Sequence, residues 1–246
     1  MIWSATDVFL RKGVQFLVLI VLARILTPDD FGVFAMLAVF VCLANTFIDG
    51  GFSSALIQRQ NTTHIDESTV FFFNLCMGSI VALVLCAAAP WIAIYFNQPL
   101  MRYLTYAMAL NVFLNAFASI HTTLLTKDLN FKTIAKVGGV AALSSGAVAV
   151  LLASQDYGVW SLVVQTLAAS MISLVLLCIW HPWRPVWKFS FASLRSFFKF
   201  GGYLMVISLV DTLSSNLYSV LIGKYYSVRD VGYYDRAQKT QLLPVN

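Results

Sequence analysis

Charge is scarce in this sequence. Asp, Glu, Lys and Arg make up 11% of 246 residues, against about 25% in an ordinary soluble domain. A water-facing coat cannot be built from so few charges, and this excludes a soluble globular protein. The net charge of +5 is dispersed over loops and helix ends, so no nucleic-acid partner is expected. Cysteine is sparse as well. Cys42, Cys76, Cys86 and Cys178 all lie in apolar runs without metal-ligand spacing, and they read as small buried hydrophobes. The three histidines, His64, His121 and His181, share no motif. Neither a metal site nor a proton site is expected of them. The chain also lacks the GxxxxGK[ST] loop of nucleotide binding, the HExxH zinc motif and the GxSxG nucleophile elbow. No catalytic residues, metal or cofactor are expected, and the chain is not read as an enzyme. No cleavable signal peptide is expected, because Asp7, Arg11 and Lys12 interrupt the first apolar segment.

What is abundant is apolar sequence. Residues of hydrophobic type make up 59% of the chain and mean hydropathy is +0.79. The apolar runs are about 20 residues, the length a helix needs to cross a bilayer. In lipid every backbone polar group must be paired within its element, which leaves helices or closed barrels. Alternating ten-residue strands are absent. The fold class is therefore an all-α integral membrane protein, a polytopic helix bundle. Spans are predicted at Ser4–Leu26, Phe31–Leu56, Thr69–Ala89, Leu100–Leu125, Ile134–Ala153, Val159–Trp180 and Phe200–Tyr225, with an eighth starting near Val231. The final LLPVN carries no stop signal, so the sequence is expected to continue.

The stretch VLARILTPDDFGVFAM, from Val21 to Met36, reads as a helix end, a polar turn and a new helix. Pro28 suits the first helical position, where its missing N–H would be unpaired anyway. A shift of 200 residues places Arg24 on Lys224, Thr27 on Ser227, Asp30 on Asp230 and Gly32 on Gly232. The sequence thus reads as residues 1–180, a first lobe of six helices; residues 181–199, an amphipathic linker; and residues 200–246, the start of a second lobe. Membrane transporters are commonly built from such repeats, with the binding site between them. Arg24, Asp30, Lys224 and Asp230 are expected to fix the turns or to gate between lobes.

Orientation follows from basic residues in the short loops. Arg59, Lys127, Lys132, Arg184, Lys188, Arg195 and Lys199 fall on one side, and Lys224 and Arg229 on the other. Seven against two places the N-terminus in the cytoplasm. Trp183, Trp187, Phe189, Phe191 and Phe197 would then lie at the inner interface, with their basic neighbours towards lipid phosphates.

Polar residues within the spans are costly, about 2.5–3.5 kcal/mol for a central charge, and so mark function. Ser4, Asp7, Arg11, Lys12 and Gln15 share about 140° of one helical face; Ser208, Asp211, Thr212, Ser215 and Ser219 share about 100°. Asn111, Asn115, Ser119 and Thr122 form a third stripe. Asn45 and Asp49 are one turn apart before Gly50 and Gly51, and Arg236 and Lys239 open the eighth helix. Blander readings stand beside these. Arg11 and Lys12 can snorkel to phosphates, Asp7 can pair with Arg11, and the Asn stripe can be interhelical glue.

LARILTPDDFGVFAM, FIDGGFSSALIQRQ, LLTKDLNFK, YGVWSLVVQ, WRP, FGGYL and VGYYDRAQK together resemble the bacterial oligosaccharide flippase, or polysaccharide transporter, family of the multidrug/oligosaccharidyl-lipid/polysaccharide exporter superfamily. The likeness is nearest to exporters of colanic-acid and teichuronic-acid type. It implies a two-lobe flippase fold, of which the chain holds the first six helices, helix seven and part of helix eight. It further implies flipping of an undecaprenyl-pyrophosphate-linked oligosaccharide across the bacterial inner membrane. The implied partners are that substrate, membrane lipid and polysaccharide polymerase or synthesis proteins. Arg11, Lys12, Arg236 and Lys239 would meet phosphates; Gln15, Asn45, Asn111, Asn115, Ser215 and Asn216 would meet sugars. Asp49 and Asp211 are expected to be charge partners or coupling-ion sites. The alternatives are a cation-coupled drug exporter, which would want an acidic cavity, and a scaffold, which would not need matched intramembrane charges.

Overall fold

The computed structural model describes residues 13, 16–59 and 62–241, all secondary structure among them being helical. Helix α1 is described over Phe16–Ile25. It is followed by α2 (Pro28–Asp49), α3 (Phe52–Gln58), α4 (His64–Tyr95), α5 (Leu100–Lys127), α6 (Phe131–Ala153), α7 (Trp160–Trp180), α8 (Phe191–Tyr225) and α9 (Val228–Gln241). Six of these are long and apolar enough to cross a membrane: α2, α4, α5, α6, α7 and, over Gly201–Tyr225, α8. The chain is a multi-pass membrane helix bundle.

Local chemistry starts the helices. Thr27 caps α2 by accepting from the Asp30 amide, and the Asp30 carboxylate returns to the Thr27 N–H at 3.0 Å. Two donors that a helix start leaves open are thereby satisfied. Thr63 and Asp66 build the same box on α4. It starts that helix at His64, five residues before the expected Thr69, and α4 continues through Pro90 to Tyr95.

Two boundaries differ in kind from those read in the sequence. The expected span Phe31–Leu56 is broken, because Gly50 and Gly51 are both left-handed (φ 50° and 72°). A right-handed helix cannot run through two such residues, so α2 ends at Asp49 and α3 leaves in a new direction. The expected linker 181–199 is helical over its second half. Ser190 caps α8 by accepting from the Ser193 amide, so the helix starts at Phe191, while its membrane-crossing part, Gly201–Tyr225, matches the expected span Phe200–Tyr225 to within one residue. What remains extended is a short strap, residues 181–190.

The strap is sewn to the start of α4. Val186 N–H donates to Ser68 Oγ at 2.9 Å, Ser190 N–H to Thr69 Oγ1 at 3.1 Å, and Trp183 Nε1–H to Glu67 Oε2 at 2.9 Å. Helix α8 then runs along α2, α3 and α4. Near its start Phe197 is buried with Phe52, Leu56, Phe71 and Ile120, and the Gly50–Gly51 elbow meets Gly201 backbone to backbone. Near its end Gly223 lies against Met36 and Phe96. Helix α9 returns across α2, placing Val231 in a buried cluster with Met36, Leu37, Met101 and Leu104. The outer face of α8 stays uncovered, with Tyr203, Val206 and Val210 more than half exposed.

Candidate functional site

The 200-residue repeat is realised in three dimensions. Ser227 Oγ–H donates to the Asp230 carboxylate at 2.6 Å, and the Asp230 amide donates back to Ser227 Oγ at 3.2 Å. Thr27 and Asp30 make the same pair, at 2.7 Å and 3.3 Å. The two capped helices, α2 and α9, cross at this end. Gly32 packs on the Val228 carbonyl and Gly232 on the Pro28 carbonyl, too closely for a Cβ at either position. Each contact is the other shifted by 200 residues, as an approximate two-fold axis requires.

Away from that crossing, α2 and α8 are joined by one hydroxyl pair, Thr46 Oγ1 and Thr212 Oγ1 at 3.1 Å. Half-buried Asn45 and Asp49 lie within a turn of Thr46 on α2. The polar stripe of α8 divides about Thr212. Ser219 is buried, while Asp211 and Ser215 are exposed. Ser215 donates to the Asp211 carbonyl at 2.8 Å, and Asn216 donates to the Thr212 carbonyl at 2.8 Å. On α9 the Arg236 guanidinium lies 4.0 Å from the centre of the Phe31 ring, a cation–π distance. Lys224 donates to the Tyr95 carbonyl at 3.2 Å and lies over its ring, tying the end of α8 to the end of α4. Arg24 is exposed. Arg11, Lys12 and Gln15, and the side chain of Lys239, lie outside the described residues.

Asn111 and Asn115 are placed elsewhere. Asn111 Nδ2–H₂ donates to the Thr166 carbonyl (3.1 Å) and Ser170 Oγ (2.8 Å), and Ser170 Oγ–H donates to Asn115 Oδ1 (3.0 Å). With Asn115 Nδ2–H₂ donating to Asn111 Oδ1 at 3.0 Å, these bonds close a ring between α5 and α7. Three interhelical bonds at about 0.6 kcal/mol each supply roughly 2 kcal/mol of helix association. The glue reading describes their geometry, since the Asn111 amide is buried and engaged.

Two features escape the sequence. The first is a cavity of about 370 Å³ among α1, α2, α6 and α7, lined by Val18, Leu22, Phe31, Ser145, Gln165 and Thr166 among others. Its traces in the sequence are faces of small and polar residues, Gly138, Ala141 and Ser145 on α6 and Gln165, Ala169 and Ser173 on α7. The second joins all three histidines. His121 Nδ1 and His181 Nδ1 are 3.1 Å apart. The His121 ring meets Trp183 edge to face, and His64 stacks on the same indole. Burial holds His181 below its ordinary value, outweighing the Asp128 and Glu67 carboxylates that act to raise it.

The sequence profile of a family described as polysaccharide biosynthesis protein matches residues 21–246. The chain belongs to that family. It is 24% identical over 99% of its length to the teichuronic acid biosynthesis protein TuaB of Bacillus subtilis, covering 51% of that protein. It is 26% identical over 98% to the succinoglycan biosynthesis transport protein ExoT of Rhizobium meliloti, covering 49%. It is 23% identical over 98% to the lipopolysaccharide biosynthesis protein WzxC of Escherichia coli, covering 50%. The chain thus spans about half the length of the curated relatives it matches. No solved structure matches it. The family and the succinoglycan transport protein among the relatives agree with the polysaccharide-transporter resemblance carried by LARILTPDDFGVFAM and its companion stretches.

Proposed function

We propose that this chain forms the first lobe, and the opening of the second, of a flippase for a lipid-linked oligosaccharide in the bacterial inner membrane. The observation that carries the reading is the α2–α9 crossing with its matched turns. A paired element that holds two lobes together at one end suits a transporter that opens at alternate ends. With the N-terminus in the cytoplasm, the crossing closes the outer end. Arg24, Asp30, Lys224 and Asp230 belong to that gate.

The substrate assignment follows from charge. A pyrophosphate-linked sugar headgroup is anionic, bulky and hydrated, and carrying it through hydrocarbon requires fixed cations for phosphate. Arg11, Lys12, Arg236 and Lys239 supply them, with Gln15, Asn45, Ser215 and Asn216 for the sugars. Undecaprenyl pyrophosphate is the carrier, and polysaccharide polymerase or synthesis proteins act beside the transporter. Asp211, exposed on α8, and Asp49 are the coupling-ion or charge-partner candidates. Asn111 and Asn115 leave the sugar set, because their amides serve the α5–α7 contact.

The test is complementation with the full-length protein in cells lacking their own flippase. Wild type is compared with an Arg11→Ala, Lys12→Ala variant at matched expression. The reading expects loss of surface glycan, with lipid-linked precursor retained on the cytoplasmic side. Full activity of the variant would return both residues to snorkelling anchors and remove the proposed phosphate site.

A further inference from the structure

A groove opens on the surface of the bundle where α4 hands the chain to α5, beside the Tyr95 that Lys224 of α8 holds. The turn is made at Asn97, left-handed at φ 52°, a conformation that asparagine tolerates. The Gln98 N–H closes the turn on the Ala93 carbonyl at 3.0 Å, and Pro99 opens α5 without a side-chain cap. The reversal leaves a cavity of about 510 Å³, lined by Pro90, Ala93, Ile94, Asn97, Arg102 and Tyr103 among others.

The polar part of the lining consists of donors, the Asn97 amide, the Arg102 guanidinium and the Tyr103 hydroxyl. No carboxylate is among the described lining residues. Arg102 Nε–H donates to Tyr106 Oη at 3.1 Å, one turn further along α5. That bond engages one of the five guanidinium donors and fixes the plane of the fork. The same arginine–tyrosine step opens α9, where Arg229 Nε–H donates to Tyr233 Oη at 3.3 Å. There the carboxylates of Asp29 and Asp230 act on the cation. The side chains that act on Arg102 are Tyr106 and Tyr103, and a neutral phenol does not offset its charge.

The apolar part of the groove continues down α4. Ile94, Trp91, Val84 and Leu83 are each at least 60% exposed and fall within about 100° of one helical face. On a helix that crosses a membrane, such a face meets lipid chains. Interfacial enrichment of aromatics accounts for Trp91, Tyr103 and Tyr106. It does not account for a fixed cation beside a cavity at the end of an apolar stripe.

We propose that this groove binds one anionic phospholipid of the surrounding bilayer. Its phosphate meets Arg102, Asn97 and Tyr103, and one acyl chain lies along the face of α4 that carries Ile94 and Leu83. Charge selects the headgroup. A zwitterionic headgroup brings an ammonium up to the guanidinium and finds no carboxylate in the described lining to receive it. The stripe selects a lipid over free phosphate. The leaflet concerned, the outer one, follows from the orientation in the flippase reading. The site rests only on the membrane bundle.

The test is native mass spectrometry of the full-length protein released from detergent, titrated with phosphatidylglycerol, phosphatidylcholine and inorganic phosphate. Its readout needs no transport, so failure of the flippase reading would leave it intact. Wild type should retain one phosphatidylglycerol about ten-fold or more tightly than phosphatidylcholine, the effect of one hydrogen bond to a charged group. Arg102→Gln should weaken phosphatidylglycerol by that factor and lose the preference. Arg229→Gln should keep it, because that cation is already met by carboxylates. Equal retention of the two lipids by wild type would overturn the proposal whether or not any variant folds. So would a preference left intact by Arg102→Gln, or one lost equally in Arg229→Gln. Displacement of the lipid by inorganic phosphate at matched concentration would overturn the lipid assignment, since the chain would then add nothing to binding.

Discussion

Gly32 and Gly232, two hundred residues apart, carry one contact twice. Each lets its helix lie on a carbonyl of the other, Gly32 on Val228 and Gly232 on Pro28. A side chain at either position has nowhere to go, because the opposing atom is backbone.

Gly32→Val and Gly232→Val should therefore push α2 and α9 apart. Overpacking of this kind costs about 1–3 kcal/mol, so the closed crossing should lose about 5- to 150-fold in population. Single-molecule distances between labels on α2 and α9 of the full-length protein should lengthen. Labels on α4 and α5, which pack on each other, should not move.

Thr27→Ala and Ser227→Ala each remove a side-chain acceptor from a helix start. Each should lower stability by about 0.5–2 kcal/mol, read as a lower melting temperature in detergent. Because the two caps are equivalent, the two losses should be similar.

Asn111→Leu removes two interhelical donations at once and leaves Ser170 and Asn115 paired only with each other. Helix association should weaken by roughly 1 kcal/mol, seen again in the melting temperature. Glycan export per folded molecule should be unchanged, since the amide serves packing. A selective loss of export would restore Asn111 to the sugar-binding set.

Arg236→Gln should lower export with precursor retained inside the cell. Arg236 lies over the buried Phe31 ring where α9 crosses α2. Asp211→Asn should abolish ion dependence of export while the protein still folds. An unchanged response to pH and sodium would remove Asp211 as a coupling site.

Much of the frame was legible without coordinates. Apolar runs of bilayer length have one solution in lipid, the helix, and the repeat of Thr27–Asp30 at Ser227–Asp230 announced two equivalent turns. Capping is local chemistry over three residues, so spacing suffices to find it. The Gly50–Gly51 pair was visible too. Its role as a break showed only in its backbone angles and in the close approach of Gly201.

The polar stripes depend on more than spacing. Periodicity tells which residues share a face, but not which helix the face meets. Thr212 and Asp211 are neighbours in sequence, yet one bonds Thr46 and the other stays exposed. Asn111 and Asn115 turn to α7. The three histidines share no sequence spacing, because each comes from a different element, and only the folding of α4, α5 and the strap around Trp183 brings them together. By itself the sequence determined the solvent of this protein, its helices and its internal repeat, since these depend on composition and on contacts a few residues apart. The tertiary structure alone decided which polar groups meet, because that depends on the direction in which each helix leaves its turn.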